Sequence, residues 1–169
     1  MIESCLKILS EIEMSGIRVK PDVTKLVSEL SALIGIYEKL SSEDRNLVRE
    51  SLSPRLGMKL VVIGTFAAEK AMSTKDEGLI KIALMSHVLE GVREDYRENI
   101  RNLVLVDYAA TLIGVNFEAL VTEVENFADA NTKTFLNNFL INQSGRESVE
   151  DYGLEIKEIN GELKFSPIA

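Results

Sequence analysis

The stretch SPRLGMKLVVIGTFAAEKAM (53–72) decides the fold. Its centre, KLVVIGTF (59–66), reads in isolation as a buried strand: short, apolar and partly β-branched. Two features turn the reading to helix. Ser53 is the natural N-cap and Pro54 the natural first helical residue. Ala67, Ala68, Ala71 and Met72 then carry the apolar run past strand length.

Upstream, Ile2, Leu6, Leu9 and Ile12 fall at helical spacing, which predicts a first helix over about 2–14 with Gly16 as its stop. GIRVKPD (16–22) is a connector in which Pro21 can open the next helix. The pattern Val23, Leu26, Val27, Leu30, Leu33, Ile34, Tyr37 predicts a second helix over about 22–40. Ser41 and Asp44 are spaced as a cap and its partner, which starts a short third helix. Downstream, Thr74 with Glu77 makes a capping box for KDEGLIKIALMSHVLEG (75–91), stopped by Gly91. Asp95 with Glu98 gives a similar start for the helix over about 95–113, with Gly114 following as its C′ residue. Asn116 caps FEALVTEVENFADA (117–130), and a last helix covers about 132–141. NQSGRESVED (142–151) is a polar link.

The chain then ends differently. In YGLEIKEINGELKFSPIA (152–169), Asn160-Gly161 is a type I′ hairpin turn. In the two-residue register Ile159 faces Glu162, Ile156 faces Phe165 and Leu154 faces Pro167. Leu154, Ile156, Leu163 and Phe165 then share one face, with the charged residues on the other. A lone hairpin is marginal in water, so its apolar face must cap the helices or its edge must pair with another chain. The fold class is therefore mainly α: about eight helices in a bundle or a short HEAT-like stack, one domain over 1–169, with a C-terminal β-hairpin over 152–167. The HEAT-like alternative rests on an echo between LVVIGTFAA (60–68) and LVLVDYAAT (103–111). They start 43 residues apart, and each is followed by a break and a second amphipathic helix.

Composition excludes several classes of function. The chain has 169 residues, 46% apolar and 27% charged, with a net charge of −8. That suits a globular core and argues against nucleic-acid binding, which needs clustered Lys and Arg. The acid is uneven: residues 115–169 hold 10 Asp/Glu against 4 Lys/Arg, whereas residues 1–114 hold 17 against 15. The acidic end is either a solubility device or a docking face for a basic partner. One cysteine, Cys5, precludes an intrachain disulfide and reads as a small apolar filler. The N-terminus lacks a basic leader and no stretch has the length of a membrane span, so a cytoplasmic protein is expected.

Little catalytic chemistry is visible. Cys5 and the single histidine, His87, cannot supply a standard zinc set. His87-x-x-Glu90 reverses the di-iron order and stands alone. No phosphate loop, dinucleotide fingerprint, calcium loop or nucleophile elbow occurs. No cofactor is expected. His87 is expected to hydrogen-bond Glu98 across a helical hairpin. Asp107 lies among Leu103, Val104, Ala110 and Thr111. It is therefore expected to be tied to a Lys, an Arg or a helix N-terminus on a neighbour, or else to face a ligand. In EGVREDYRENIR (90–101), Arg93, Arg97 and Arg101 fall at a spacing of four beside Tyr96, with Glu90, Glu94 and Glu98 running parallel. This is a solvated charge ladder or a recognition patch.

The stretch DEGLIKIALMSHVLEGVREDYRENIRNLVLVDYAATLIGVNFEALVTEV (76–124) resembles a loosely defined group of uncharacterised bacterial proteins. The shared elements are the Asp76 start, ALMSHVLEG, DYR at 95–97, the AATLIGV helix end and a hairpin near the C-terminus. The resemblance implies a short α-helical, HEAT-like fold and brings no activity. Small acidic helical proteins of this kind also look like immunity or adaptor proteins. Three functional expectations follow. The first is a non-catalytic protein-interaction module that uses the acidic last third or the 93–101 patch. The second is a small-ligand binder or enzyme with a pocket near Asp107, Tyr108 and His87. The third is a self-associating structural subunit that uses the hairpin edge or an apolar helix face.

Overall fold

A computed structural model describes residues 1–16, 22–93, 96–143 and 148–168. Among them lie eight α-helices: α1 (Ile2–Met14), α2 (Val23–Lys39), α3 (Ser42–Glu50), α4 (Pro54–Thr74), α5 (Glu77–Glu90), α6 (Arg97–Leu112), α7 (Phe117–Val124) and α8 (Ala130–Gln143). Short 3-10 turns occupy Glu125–Phe127 and Val149–Tyr152. Strands β1 (Leu154–Ile159) and β2 (Glu162–Pro167) form the antiparallel hairpin. The molecule is thus a mainly α bundle with a terminal two-stranded ribbon. The expected Pro21 helix start, the Asp95 cap, Glu94 of the charge ladder and residues 144–147 of the polar link lie outside the described residues.

The helix α4 is the axis of the bundle and meets α2, α5, α6 and β2. Its central position explains the strand-like run. Leu60, Val61, Ile63 and Gly64 are all buried because neighbours cover several sides of the helix. The start is as the sequence predicts: Ser53 Oγ accepts from the Leu56 N–H, with Pro54 in the first turn. Small residues on α4 let α5 approach closely. A Cβ added at Gly64 would lie 2.9 Å from Ser86 Cβ and closer still to Ser86 Oγ. At Gly57 it would meet Glu90 Cγ at 3.4 Å.

Other caps follow the sequence. Ser41 accepts from the Asp44 N–H and Asn116 from the Ala119 N–H. At the end of α6 the Val115 N–H returns to Ala110 O and the Gly114 N–H to Thr111 O, around Gly114 at φ 79°. That is a Schellman closure. The Thr74–Glu77 box is corrected. Thr74 belongs to α4 and donates to Lys70 O, while Asp76 caps α5 by accepting from the Gly78 N–H. Asp76 prevails because its own N–H bonds back to Ala71 O, so one residue closes α4 and opens α5. In α1 the buried stripe is Cys5, Leu9 and Ile12, with Leu6 at 40% exposure, so the small thiol takes the place expected for the leucine. Lys59 of α4 donates to the Glu13 and Ser15 carbonyls and gives the C-terminus of α1 the cation its own last turn lacks.

The hairpin adopts the predicted register, with Asn160 at φ 53° and Gly161 at φ 80°. Its apolar face packs on the helices, and Phe165 meets Tyr108 of α6 edge-on at 6.5 Å between ring centres. The outer edge of β2 is closed by α4. Leu163 donates its N–H to Ser73 Oγ at 2.9 Å, and Phe165 donates to Glu69 Oε2 at 2.8 Å. The third outward position on that edge is Pro167, which has no N–H.

Candidate functional site

The residues singled out in the sequence fall into separate places. His87 is buried on α5 and lines a cavity of about 10 Å³ with Asn99, Leu103 and Thr132. Among the described residues its Nδ1 has no hydrogen-bond partner, and neither has the buried Thr132 Oγ1. Burial lowers the imidazole pKa to about 4. The expected His87–Glu98 bond is therefore corrected. The α6 residues at this cavity are Asn99 and Leu103, while Glu98 is exposed and lines a different cleft. A one-residue step along a helix turns a side chain by about 100°, enough to change the neighbour it meets.

Asp107 is half-buried, and burial raises its pKa. The expected tie to another helix does not form: Asp107 Oδ1 accepts from Thr111 Oγ1 on its own helix at 3.4 Å. Tyr108 lies under the hairpin against Phe165. His87 lines the small cavity, whereas Asp107 and Tyr108 line neither it nor the two larger clefts that follow.

The arginine stripe is also redrawn. Helix α6 begins at Arg97 with Tyr96 as its N-cap, so Arg93 precedes the helix. Arg97 lies over the Tyr152 ring at 5.3 Å. Arg93 and Arg101 instead converge on one cleft between α4 and α6, of about 190 Å³. Met58, Val61, Val62, Phe66 and Leu105 give it apolar walls, and Glu90, Glu98, Arg93 and Arg101 surround them. Met58 and Val62 are 44% and 41% exposed. None of the four charged side chains forms an ion pair among the described residues. Tyr96, at 59% exposure, adjoins this segment in sequence.

Glu90 is the most perturbed acid of this cleft. Burial raises its pKa to about 7, against the lowering effect of Arg93 and of a 3.2 Å hydrogen bond from Asn99 Nδ2. Asn99 also donates to Gly91 O and accepts from the Arg93 N–H, so one amide ties down the two residues Gly91 and Arg93 just past α5. Glu90 also borders an open polar cleft of about 450 Å³ with Arg49, Glu50 and Asp129. There Arg49 is held by Tyr37 Oη, Asn46 Oδ1 and Phe127 O.

Sequence reasoning missed Met58, Val62 and Phe66. A signal existed: they form a second apolar stripe on α4 at spacings of four, beside the stripe that packs on α5. Several acids of the last third are engaged within the chain. Asp129 and Asp151 cap local turns, Glu123 meets Lys81 at 3.1 Å, and Glu155 and Glu162 lie near Lys157 and Lys164. No described group of His, Cys, Asp and Glu could hold a metal ion, and no described helix is long and apolar enough to cross a membrane. Comparison of the chain with protein-family models, curated proteins and solved structures found no match.

Proposed function

We propose that this protein is a non-catalytic interaction module, immunity- or adaptor-like in kind, that docks a segment of another protein in the cleft between α4 and α6. The observation that carries the reading is the open apolar floor at Met58 and Val62, surrounded by two acids and two arginines that form no ion pairs with one another. The partner segment places one apolar side chain on that floor, between a cationic side chain facing Glu90 and Glu98 and an anionic one facing Arg93 and Arg101. Arg and Tyr are common interface anchors, and the 93–101 segment supplies both at its exposed end. A small metabolite fits this cleft less well, because small-ligand sites enclose most of their ligand and this floor is open.

Two further features favour the reading. The units α4–α5 and α6–α7 carry the 43-residue echo. In a HEAT-like arrangement, stacked helix pairs of this sort build grooves for protein partners. The excess acid of residues 115–169 adds long-range attraction for a partner with a basic surface. A cytoplasmic setting goes with both.

A photo-crosslinking amino acid at Val62, with Thr122 as the exposed control, tests the reading in cells that make the protein. The expected result is a discrete adduct from position 62 that is absent from position 122 and lost in R93E/R101E. Equal labelling from both positions, or an adduct indifferent to the charge reversals, would reject the α4–α6 site.

A further inference from the structure

The two edges of the hairpin are treated differently. On β2, Ser73 and Glu69 take up the outward N–H groups of Leu163 and Phe165, and Pro167 has none. In an antiparallel pair, residues opposite one another point their N–H groups the same way relative to the pair, inward or outward. Leu163 faces Glu158, Phe165 faces Ile156 and Pro167 faces Leu154. The N–H groups of Leu154, Ile156 and Glu158 therefore point out along the free edge of β1. They meet no hydrogen-bond partner among the described residues. Unpaired backbone donors are found where water or another chain can reach them.

We infer that the β1 edge is a self-association surface, on which a second copy of the chain adds its own β1 antiparallel to make a four-stranded sheet. The sequence of the strand, LEIKEI, selects both the occupant and the register. Only registers that keep each face on its own side are allowed. The one centred on Ile156 pairs Ile156 with its copy, Leu154 with Glu158 of the second copy, and Glu155 with Lys157 of the second copy, twice over. The neighbouring registers centred on residue 155 or 157 place Glu155 against Glu155 or Lys157 against Lys157. Opposite charges directly across a sheet stabilise it and like charges destabilise it, so one alignment is favoured and both slips are penalised. An edge lysine normally discourages stray pairing. Here Lys157 is tolerated by a strand that presents a glutamate opposite, and this chain's own β1 does so.

The inference uses a different surface from the α4–α6 cleft and stands or falls independently of it. Sedimentation equilibrium of the intact chain from micromolar to millimolar concentration tests it. Glu155 and Lys157 lie on the outer face of the hairpin, so their exchange leaves the helical packing in place, which circular dichroism checks. The expected result is a reversible dimer that weakens with salt. K157E and E155K are each expected to lower its association constant by about tenfold or more, through like-charge opposition. An equimolar mixture of the two variants restores both attractive pairs and is expected to recover dimer as a heterodimer. A wild-type chain that stays monomeric throughout would overturn the inference. So would a dimer indifferent to both reversals, or single variants that fail to complement each other.

Discussion

His87 and Glu90 lie three residues apart near the end of α5, and burial moves their proton affinities in opposite directions. For His87 the folded value, about 4, lies below the ordinary 6.5. The unfolded chain takes up a proton in that interval and the native one does not. Native stability therefore falls as pH drops from 6.5 to 4, by on the order of 3 kcal/mol in full. Glu90 behaves inversely. Its folded value, about 7, lies above 4.5, so its contribution is complete below 4.5 and is lost as pH rises through 7. We expect His87→Gln to flatten the acid limb of a denaturant-midpoint profile, and Glu90→Gln to flatten the decline through neutrality while leaving the acid limb in place. An H87Q profile that keeps the wild-type slope between pH 4 and 6.5 would show that His87 is not the group responsible. The sequence displayed both residues but not their surroundings. Glu90 looked like one member of an exposed ladder because the backbone of Gly57, which makes room for it, comes from another helix.

Among the elements, the α4–α5 contact is the least forgiving. Gly64 faces Ser86, whose Oγ donates to Ala83 O at 2.6 Å. Gly64→Ala forces the helices apart or turns Ser86 from its rotamer, and we expect a loss of about 1–3 kcal/mol in urea unfolding. Ser86→Ala on top of it is expected to recover only part, since Ser86 Cβ itself lies too close. Several element starts were legible from a local cap or turn: Ser41, Ser53, Asn116 and the Asn160-Gly161 turn all act within three residues of themselves. The α5 start was misassigned because Thr74 and Asp76 are both competent caps. What decides between them is the Asp76 N–H bonded back to Ala71 O, a feature of the finished joint. The arginine stripe was overdrawn for a related reason. Spacing of four has meaning only inside one helix, and α6 begins at Arg97.

At the scale of the whole molecule, the alternation of helical patterns and the terminal hairpin could be read directly, register included. Helical periodicity and turn chemistry are local, and the hairpin's apolar face is fixed by its two-residue turn. The placement of the α4–α6 cleft could not be read, because it depends on how two distant helices cross. Removing residues 153–168 should uncover Tyr108 together with Glu69 and Ser73. We expect such a chain to retain helical circular dichroism, to bind an apolar dye more strongly and to unfold at lower denaturant. An unchanged unfolding midpoint would mean that the ribbon contributes nothing to the bundle. The two bonds that fasten the ribbon to α4 join residues 90 and 96 positions apart. At translation speeds of about 5–20 residues per second, the ribosome needs on the order of 5–20 s to deliver the strand after its docking helix. During that interval the nascent bundle presents an unfinished flank, at the stage of its life when chaperones have most to recognise.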